Sequence, residues 1–551
     1  MSEDTVHKSG AKKKQPPGRY WLWAALLAVI LFTAAVRIRL LDVPLERDEG
    51  EYAYGGQLIL QALPSDAPLY NIKPGIYLAY ALIQSVFGQT DRGIRLGLLV
   101  VNTAAILVLF ALAKRFFGLL VAVAAAAVFA ILALQQSVLG FSANREHFVL
   151  LPALAGILLL LRAIDCRKNS SLLAGALLLG ISFVMKPNGL IFIAFAGLYL
   201  LFCEIRRRPF KWKLFLASGV IFALGAVLPL ALICLLLWRL GLLKIFWFWR
   251  IVYTPRYASV LPLSMGLELL SMRIVPIVAS AVLIWILSAV GLAALFSNKK
   301  DRPHAVFVVG FLIFSFLAVC PGLYFRPHYF ILLLPAVALL AGSGLGFITR
   351  RFAPVAPAPL AKFVPAVLLS IVILQAVYKQ RAFLFQMSPA EVSRQTYFGN
   401  PFLQSLEIAH FINENSTPDD RIVVLGSEPQ IYFYSKRHSA TGHMYMYPLM
   451  GKYDFALEMQ HQLIREIETA RPKFIVFAGI STSWLVQPDS HRTIFDWFHR
   501  YQQTYYKQVG VVEIVSDRRT IYRWNEDAAG YVPRSQFWLL VFQRENLFWP
   551  L

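Results

Sequence analysis

Carboxylates and a lysine gather beside a long apolar stretch, in the segment from residue 42 to residue 80. Asp48, Glu49 and Glu51 come directly after one apolar run, and Tyr70 and Lys73 come shortly before the next. Ionised groups at the edge of a hydrophobic span are costly, so acids kept there are candidates for function. The segment supplies a carboxylate that can orient or accept a proton and a cation that can bind an anion. We therefore predict an active site in this segment, on an outer loop.

The composition is that of a membrane-embedded protein. Of 551 residues, 58% are hydrophobic and 15% are charged, and the mean hydropathy is +0.57. A soluble chain of this size is far less apolar, so we predict a polytopic α-helical membrane protein.

The charge is strongly basic, with 53 Lys and Arg against 31 Asp and Glu, a net charge of +22. The basic residues cluster in short loops between apolar runs, which fits the positive-inside rule and contact with anionic lipid. We therefore expect the lipid bilayer as a partner and no nucleic acid. The four cysteines lie in or beside apolar runs without the close pairing of a zinc or redox motif, so no disulfide framework and no thiol metal site is predicted.

Eleven apolar runs are candidate membrane spans. The first, from Tyr20 to about Leu41, follows a basic tail of residues 1–19. It is long enough to span and lacks a small-residue cleavage site, so a retained helix with a cytoplasmic N-terminus is predicted. The other ten lie at about 92–113, 119–139, 148–163, 171–185, 188–203, 213–238, 275–297, 304–321, 328–348 and 363–379.

Loop charge sets the predicted orientation. Every loop that falls on the inner face in this count is basic: Lys114–Arg115, Arg162–Lys168, Arg206–Lys213, Lys299–Arg302 and Arg350–Lys362. An odd number of spans then places the polar C-terminal part outside. The predicted domains are a cytoplasmic tail (1–19), a transmembrane domain (20–380) and an extracytoplasmic domain (381–551).

Six basic residues fall on the outer face, where orientation does not require them. Each alone is as well explained by interfacial anchoring. Together, on the same side as Asp48, they predict an anion site, and a lipid phosphate is the obvious anion at that depth. They are Lys73, Arg145, Lys186, Arg256, Arg326 and His328.

The C-terminal part has the pattern of a small soluble α/β domain. Strand-like runs at Arg421–Leu425, Lys473–Phe477 and Val509–Val515 alternate with an amphipathic stretch at Phe455–Ala470. The turn Gly426–Pro429 is interpreted as structural. Neither a G-x-G-x-x-G pattern nor a P-loop occurs, which argues against nucleotide binding.

Three motifs resemble the GT-C glycosyltransferases, in the group that holds the lipid A aminoarabinose transferase and the protein O-mannosyltransferases. The first outer loop reads Arg47-Asp48-Glu49-Gly50-Glu51-Tyr52, then Pro68-Leu69-Tyr70 and Lys73-Pro74-Gly75. The second reads Phe141-Ser142-Ala143-Asn144-Arg145-Glu146, and a late loop reads Arg326-Pro327-His328-Tyr329-Phe330. Two positions depart from the family: Ile72 replaces an acid that precedes the lysine, and Glu146 replaces the usual Asp.

The resemblance implies an enzyme that moves a sugar from a polyprenyl phosphate to a hydroxyl on the outer face of the plasma (inner) membrane, with inversion. Its acceptor is a lipid, a protein or a glycan. The catalytic candidates are Asp48, Glu49 and Glu146. The donor-binding candidates are Lys73, Tyr70, Arg256, Arg326, His328 and Tyr329. The sequence requires no cofactor and assigns no metal ligands, although a divalent metal cation can supply part of the positive charge.

Other interpretations stay open at this stage. The acids at 48 and 49 pair with Arg47 and cap a short interfacial helix, and Glu146 forms a local ion pair with Arg145. A polymerase or ligase for lipid-linked glycans uses the same side and donor type. A transporter or flippase is disfavoured, because the charges gather at one face and no acid lies in mid-span.

Overall fold

The computed structural model describes residues 20–61, 69–297, 302–352 and 363–545. The predicted tail 1–19, Pro68 and parts of the basic loops at 298–301 and 353–362 lie outside these residues.

The transmembrane part is a set of apolar helices whose positions follow the apolar runs of the sequence. Helices α1 and α4 to α9 cover Tyr20–Arg39, Asp91–Phe117, Leu119–Leu132, Arg145–Cys166, Asn169–Met185, Gly189–Arg206 and Trp212–Arg239. Helices α10 to α15 cover Leu243–Ala258, Leu263–Ala279, Val282–Ser297, Arg302–Val319, Leu334–Phe352 and Val364–Lys379.

Within the described ranges, six helices are long and apolar enough to cross a membrane, and α10 with α11 forms a seventh candidate that is bent by 84°. Five further apolar helices are 10–17 residues long. The predicted count of eleven spans therefore stays a prediction, while the multi-pass helical architecture is confirmed.

Helix α5 forms the centre of the bundle. It is rich in alanine, and Ala122, Ala126 and Phe129 are completely buried or nearly so against α1, α4 and α14. Small side chains let backbones approach closely, which is how helices associate in lipid. At Gly291, where α12 crosses α14, an added Cβ would lie 1.9 Å from the carbonyl oxygen of Leu340, so only glycine permits this approach.

The segment 42–80, predicted as an outer loop, is mostly helical where it is described. Helix α2 covers Arg47–Leu60 and α3 covers Pro74–Phe87. Glu46 caps α2: its carboxylate accepts from the N–H of Glu49, and the Glu49 side chain accepts from the N–H of Glu46 at 3.2 Å. Pro74 is at the first position of α3, where its missing N–H costs nothing.

The C-terminal part is a mixed six-stranded sheet with helices, as the alternation predicted. The strands, in the order β2-β1-β3-β6-β4-β5, are β1 Arg421–Leu425, β2 His438–Ser439, β3 Phe474–Gly479, β4 Tyr506–Ile514, β5 Thr520–Trp524 and β6 Trp538–Arg544. Strand β1 pairs in parallel with β2 and β3, and the other pairs are antiparallel. The longer helices are α16 Pro389–Thr396, α17 Gln404–Glu414, α18 Gln430–Ser435, α19 Ala456–Ala470 and α20 Thr493–Tyr505. The predicted strands and the amphipathic helix are confirmed.

The sheet domain packs directly on α2. An added Cβ at Gly50 would lie 2.6 Å from the backbone nitrogen of Gln430, so α2 and α18 touch through their backbones. Tyr54 accepts a hydrogen bond from the N–H of Ser439 at 2.9 Å, and Tyr434 accepts one from the N–H of Leu45 at 2.9 Å. The start of α2 is therefore fixed between the membrane helices and the C-terminal domain.

Candidate active site

A cavity of about 230 Å³ opens at the boundary between the membrane helices and the C-terminal domain. The cavity is lined by side chains from the start of α2, the segment before α3, the start of α6, the end of α7, helix α10, a short 3₁₀ helix at Pro327–Leu332 and the C-terminal domain. Its acidic, basic and histidine lining residues are Asp48, Lys73, Arg145, Glu146, Lys186, Arg250, Arg326 and His328.

Asp48 is the carboxylate in the first turn of α2 that faces this cavity. The Tyr445 hydroxyl of the C-terminal domain donates to Asp48 Oδ1 at 2.7 Å. Burial raises the pKa of Asp48, but the positive charges of Lys73, Arg326 and Arg145 outweigh this effect and hold the pKa below its usual value. The carboxylate is ionised at neutral pH.

Two lysines of the cavity are paired with buried acids. Lys73 donates to Glu51, which also accepts from the Tyr77 hydroxyl at 2.7 Å. Lys186 donates to Glu146, and its ammonium lies 3.8 Å from the centre of the Tyr329 ring. Glu146 thus pairs with Lys186, and the predicted ion pair with its neighbour Arg145 does not form.

Three guanidinium groups of the cavity have no carboxylate within ion-pair distance among the described residues. Arg145 lies 5.4 Å from the centre of the Tyr52 ring. Arg250 donates to the carbonyl oxygen of Ile72 at 2.6 Å, and Arg326 donates to the Tyr257 hydroxyl at 3.2 Å. Fixed, unneutralised guanidinium groups suit an anion with several oxygens, such as a phosphate ester.

His328 adds a neutral polar group beside these charges. Burial lowers its pKa to about 4, so the imidazole is uncharged at neutral pH. Its Nδ1 is buried and has no hydrogen-bond partner in the described part of the chain. A bound ligand can occupy that position.

Three residues predicted for the site lie outside the cavity lining. Glu49 is 0% exposed and binds the Arg95 guanidinium, which also donates to the carbonyl of Phe141 at 2.9 Å. The Tyr70 hydroxyl donates to Glu466. Arg256 has an exposed side chain 3.5 Å from Asp454. The roles predicted for these residues stay predictions, and the geometry gives Glu49 a visible structural task instead.

Several lining residues were not assigned to the site from the sequence. Tyr445 and Tyr447 come from a loop of the C-terminal domain without a recognisable motif, and Arg250 lies in an aromatic stretch that reads as interfacial.

The turn at Gly426–Pro429, interpreted as structural, binds α2: the Arg47 Nε donates to the carbonyl of Ser427, and its guanidinium pairs with Glu428. The pairing of Arg47 with Asp48 and Glu49, weighed from the sequence, does not form among the described ion pairs.

No group of three or more His, Cys, Asp and Glu side chains is placed to hold a metal ion in residues 20–61, 69–297, 302–352 and 363–545. Of the two carboxylates in the cavity, Glu146 is paired with Lys186, whereas Asp48 forms no ion pair among the described residues.

Comparisons with known proteins support the membrane part and the whole fold. Residues 68–233 match the family model described as dolichyl-phosphate-mannose-protein mannosyltransferase. No curated protein matches the chain significantly by sequence.

Two solved structures are similar over nearly the whole chain. ArnT from Cupriavidus metallidurans bound to undecaprenyl phosphate is 17% identical, with a TM-score of 0.57, over 93% of this chain and 100% of that chain. The archaeal oligosaccharyltransferase AglB from Archaeoglobus fulgidus, in complex with an inhibitory peptide and a dolichol-phosphate, is 14% identical, with a TM-score of 0.52, over 92% of this chain and 74% of that chain. The chain therefore has the fold of the GT-C membrane glycosyltransferases.

Proposed function

We propose that the chain is a membrane glycosyltransferase that moves a sugar from a polyprenyl-phosphate donor to a hydroxyl acceptor on the extracytoplasmic face, with inversion. One observation carries the proposal: the ionised Asp48 shares a cavity of about 230 Å³ with three guanidinium groups that lack carboxylate partners. A base and a site for an anionic leaving group lie side by side at the boundary of the membrane domain.

The leaving group is stabilised by the cations. When the bond between the anomeric carbon and the phosphate oxygen breaks, the electron pair goes to the phosphate and its negative charge increases. Arg145, Arg250 and Arg326 supply fixed positive charge to that oxygen without reorganisation. Lys73 and Lys186 add charge that Glu51 and Glu146 partly neutralise.

Asp48 acts on the acceptor. The acceptor oxygen forms the new bond to the anomeric carbon from the face opposite the phosphate, and its proton goes to Asp48. The products are the glycosylated acceptor, a protonated Asp48 and the free polyprenyl phosphate. Attack from the opposite face inverts the anomeric configuration.

Donor binding improves Asp48 as a base. The cations that hold the pKa of Asp48 below its usual value are the same groups that a donor phosphate neutralises. Once the phosphate is bound, their effect on Asp48 weakens and its pKa rises, so the carboxylate accepts a proton more readily. Asp48 is therefore a stronger base in the complex with the donor, which is the complex in which the acceptor loses its proton.

The comparisons support a lipid-phosphate donor. The two similar structures hold undecaprenyl phosphate and dolichol-phosphate, and the matching family is named for a dolichyl-phosphate-mannose donor. The matched residues 68–233 include Lys73, Arg145, Glu146 and Lys186 of the cavity. We place residues 1–19 in the cytoplasm, the C-terminal domain outside and the protein in the plasma (inner) membrane.

A second candidate is a ligase that transfers a preassembled glycan from a lipid carrier. The similarity to an oligosaccharyltransferase favours it. A cavity of about 230 Å³ is smaller than the usual ligand site of roughly 300–1,000 Å³, which favours transfer of a single sugar.

The test is deletion of the protein in its host and complementation with variants. Wild type and Asp42→Asn restore the missing glycoconjugate, because Asp42 is a surface acid paired with Arg92, whereas Asp48→Asn does not. A restored mass of one sugar supports the transferase, and a restored whole glycan supports the ligase. Full restoration by Asp48→Asn, at wild-type protein level, contradicts both.

A further inference from the structure

A second cavity, of about 400 Å³, is bordered by helix α10 and by helix α19 of the C-terminal domain. Four aromatic side chains provide much of its wall: Tyr70, Phe248, Trp249 and Phe455. The catalytic cavity does not include any of the four. This second cavity is therefore a separate space with its own lining.

Polar groups interrupt the aromatic wall. Lys244, Glu458, Gln462 and His443 also line the cavity. A hydrocarbon chain would leave the buried Nε2 of His443 without a hydrogen bond, which is costly. A sugar ring fits such a lining, because its C–H faces pack on aromatic rings while its hydroxyls bind charged and amide groups.

His443 points to a missing ligand. Its side chain is 3% exposed, and its Nε2 has no hydrogen-bond partner among the described residues. A buried polar atom without a partner costs about 1–3 kcal/mol. Burial lowers the pKa of His443 to about 4, so the neutral ring can exchange a hydrogen bond with a hydroxyl.

A space of only about 10 Å³ lies between the two cavities. That space is lined by Asn71 and Tyr445, which also line the catalytic cavity, and by Tyr70, Trp249 and His443, which also line the second cavity. The residues that line this space therefore adjoin both cavities.

Tyr70 is held rigidly in this wall. Its hydroxyl donates to Glu466 and accepts from Gln462 at 2.5 Å, and its ring lies 4.7 Å from the ring of His443. Both Glu466 and Gln462 are on helix α19, so the C-terminal domain fixes the aromatic face. A pre-organised ring of this kind binds a ligand at little entropic cost.

We propose that the second cavity binds a sugar ring of the acceptor, so that the acceptor is a saccharide or a glycolipid that extends from this cavity to the neighbouring Asp48 site. This inference rests on the proposed glycosyltransferase function and names the class of its acceptor. It gives Tyr70 a place on the acceptor side, whereas the sequence placed it with the donor.

Photocrosslinking in host membranes tests the proposal on the full chain. The variant Met459→p-benzoylphenylalanine puts the probe in the second cavity, and His461→p-benzoylphenylalanine puts it on the exposed face of the same helix. We expect the first variant to capture a molecule with saccharide mass increments and the second to capture at least tenfold less. Adding Gln462→Ala to the first variant should reduce capture at least fivefold.

The other outcomes overturn the proposal. Capture of only an acyl or prenyl chain shows a lipid groove, capture of only an unglycosylated peptide shows a peptide site, and no capture shows an unused cavity. The variant Tyr257→p-benzoylphenylalanine, with its probe in the catalytic cavity, tests the proposed function separately and should capture polyprenyl phosphate. Prenyl capture there without saccharide capture at Met459 contradicts the acceptor site and leaves the transferase intact.

Discussion

Replacing each of the neighbouring acids Asp48 and Glu49 by its amide is expected to have opposite effects on activity and on stability. Asp48→Asn should abolish activity and leave the protein folded. Glu49→Gln should destabilise the protein and leave most of the activity per folded molecule. The pair is a sharp test because both substitutions remove one negative charge and change the shape of the side chain very little.

The magnitudes follow from the contacts. Glu49 is 0% exposed, binds the buried Arg95, accepts from the N–H of Ala143 and accepts from the N–H of Glu46 at 3.2 Å. Removing one partner of a buried ion pair leaves the other charge uncompensated, which costs about 3–5 kcal/mol. Asp48 instead accepts one hydrogen bond from Tyr445 beside an open cavity. Its amide should cost about 1 kcal/mol of stability and about 10²- to 10⁴-fold in the rate constant.

The assay is thermal unfolding of the purified variants in detergent, together with sugar transfer normalised to folded protein. Asp42→Asn is the control for loss of a surface acid. Adding a second substitution, Arg95→Gln, to Glu49→Gln is expected to restore part of the stability, because it removes the uncompensated positive charge. The reasoning is refuted if Glu49→Gln is as stable as wild type and inactive, or if Asp48→Asn transfers sugar at the wild-type rate.

Three further predictions use single substitutions. Tyr445→Phe removes the hydrogen bond to the ionised Asp48, so the pKa of the acid rises and the acidic limb of the pH–rate profile moves to higher pH; an unchanged profile would contradict the contact. Arg326→Ala should weaken binding of undecaprenyl phosphate about tenfold or more, and Arg326→Lys should recover only part of it, because lysine lacks the bidentate fork; equal binding by wild type and the alanine variant in a titration would exclude the residue from the phosphate site. Burial lowers the pKa of His443 to about 4, so the unfolded state binds more protons than the folded state between about pH 4 and 6.5. The free energy of unfolding should therefore fall by about 1.4 kcal/mol per pH unit as the pH drops through this range. Unfolding curves of His443→Gln should show a shallower pH dependence, and an identical slope would contradict this pKa.

The fold was largely predictable because its determinants are local. An apolar run long enough to span, such as the one from Tyr20, forms a helix in lipid whatever its neighbours are, since every backbone group must be satisfied within the segment. The strand at Arg421–Leu425 and the helix within Phe455–Ala470 follow from hydrophobic periodicity in the same way. Inside the segment 42–80, helix α2 was weighed only as a short interfacial helix and helix α3 was not predicted, because the polar, glycine-containing residues there give no span-length signal.

The site was only partly predictable. Lys73, Arg145, Lys186, Arg326 and His328 were predicted to lie on one face, and the structure brings them to one cavity. Their side of the membrane follows from span counting, but their distance from each other does not. Arg256, predicted with the same set, is exposed beside Asp454, whereas its neighbour Tyr257 lines the cavity. The two side chains differ because adjacent residues of a helix point about 100° apart.

The sequence by itself determined that the chain enters a membrane many times, carries an α/β domain after the last span, and keeps acids and cations at one membrane edge. Only the tertiary structure decided which acid faces the cavity. Adjacent residues of a helix point about 100° apart, so Asp48 turns to Tyr445 while Glu49 turns to Arg95. Which of these directions leads to an open cavity depends on how the C-terminal domain packs on α2, and that packing is set by contacts between residues nearly 400 positions apart in the chain.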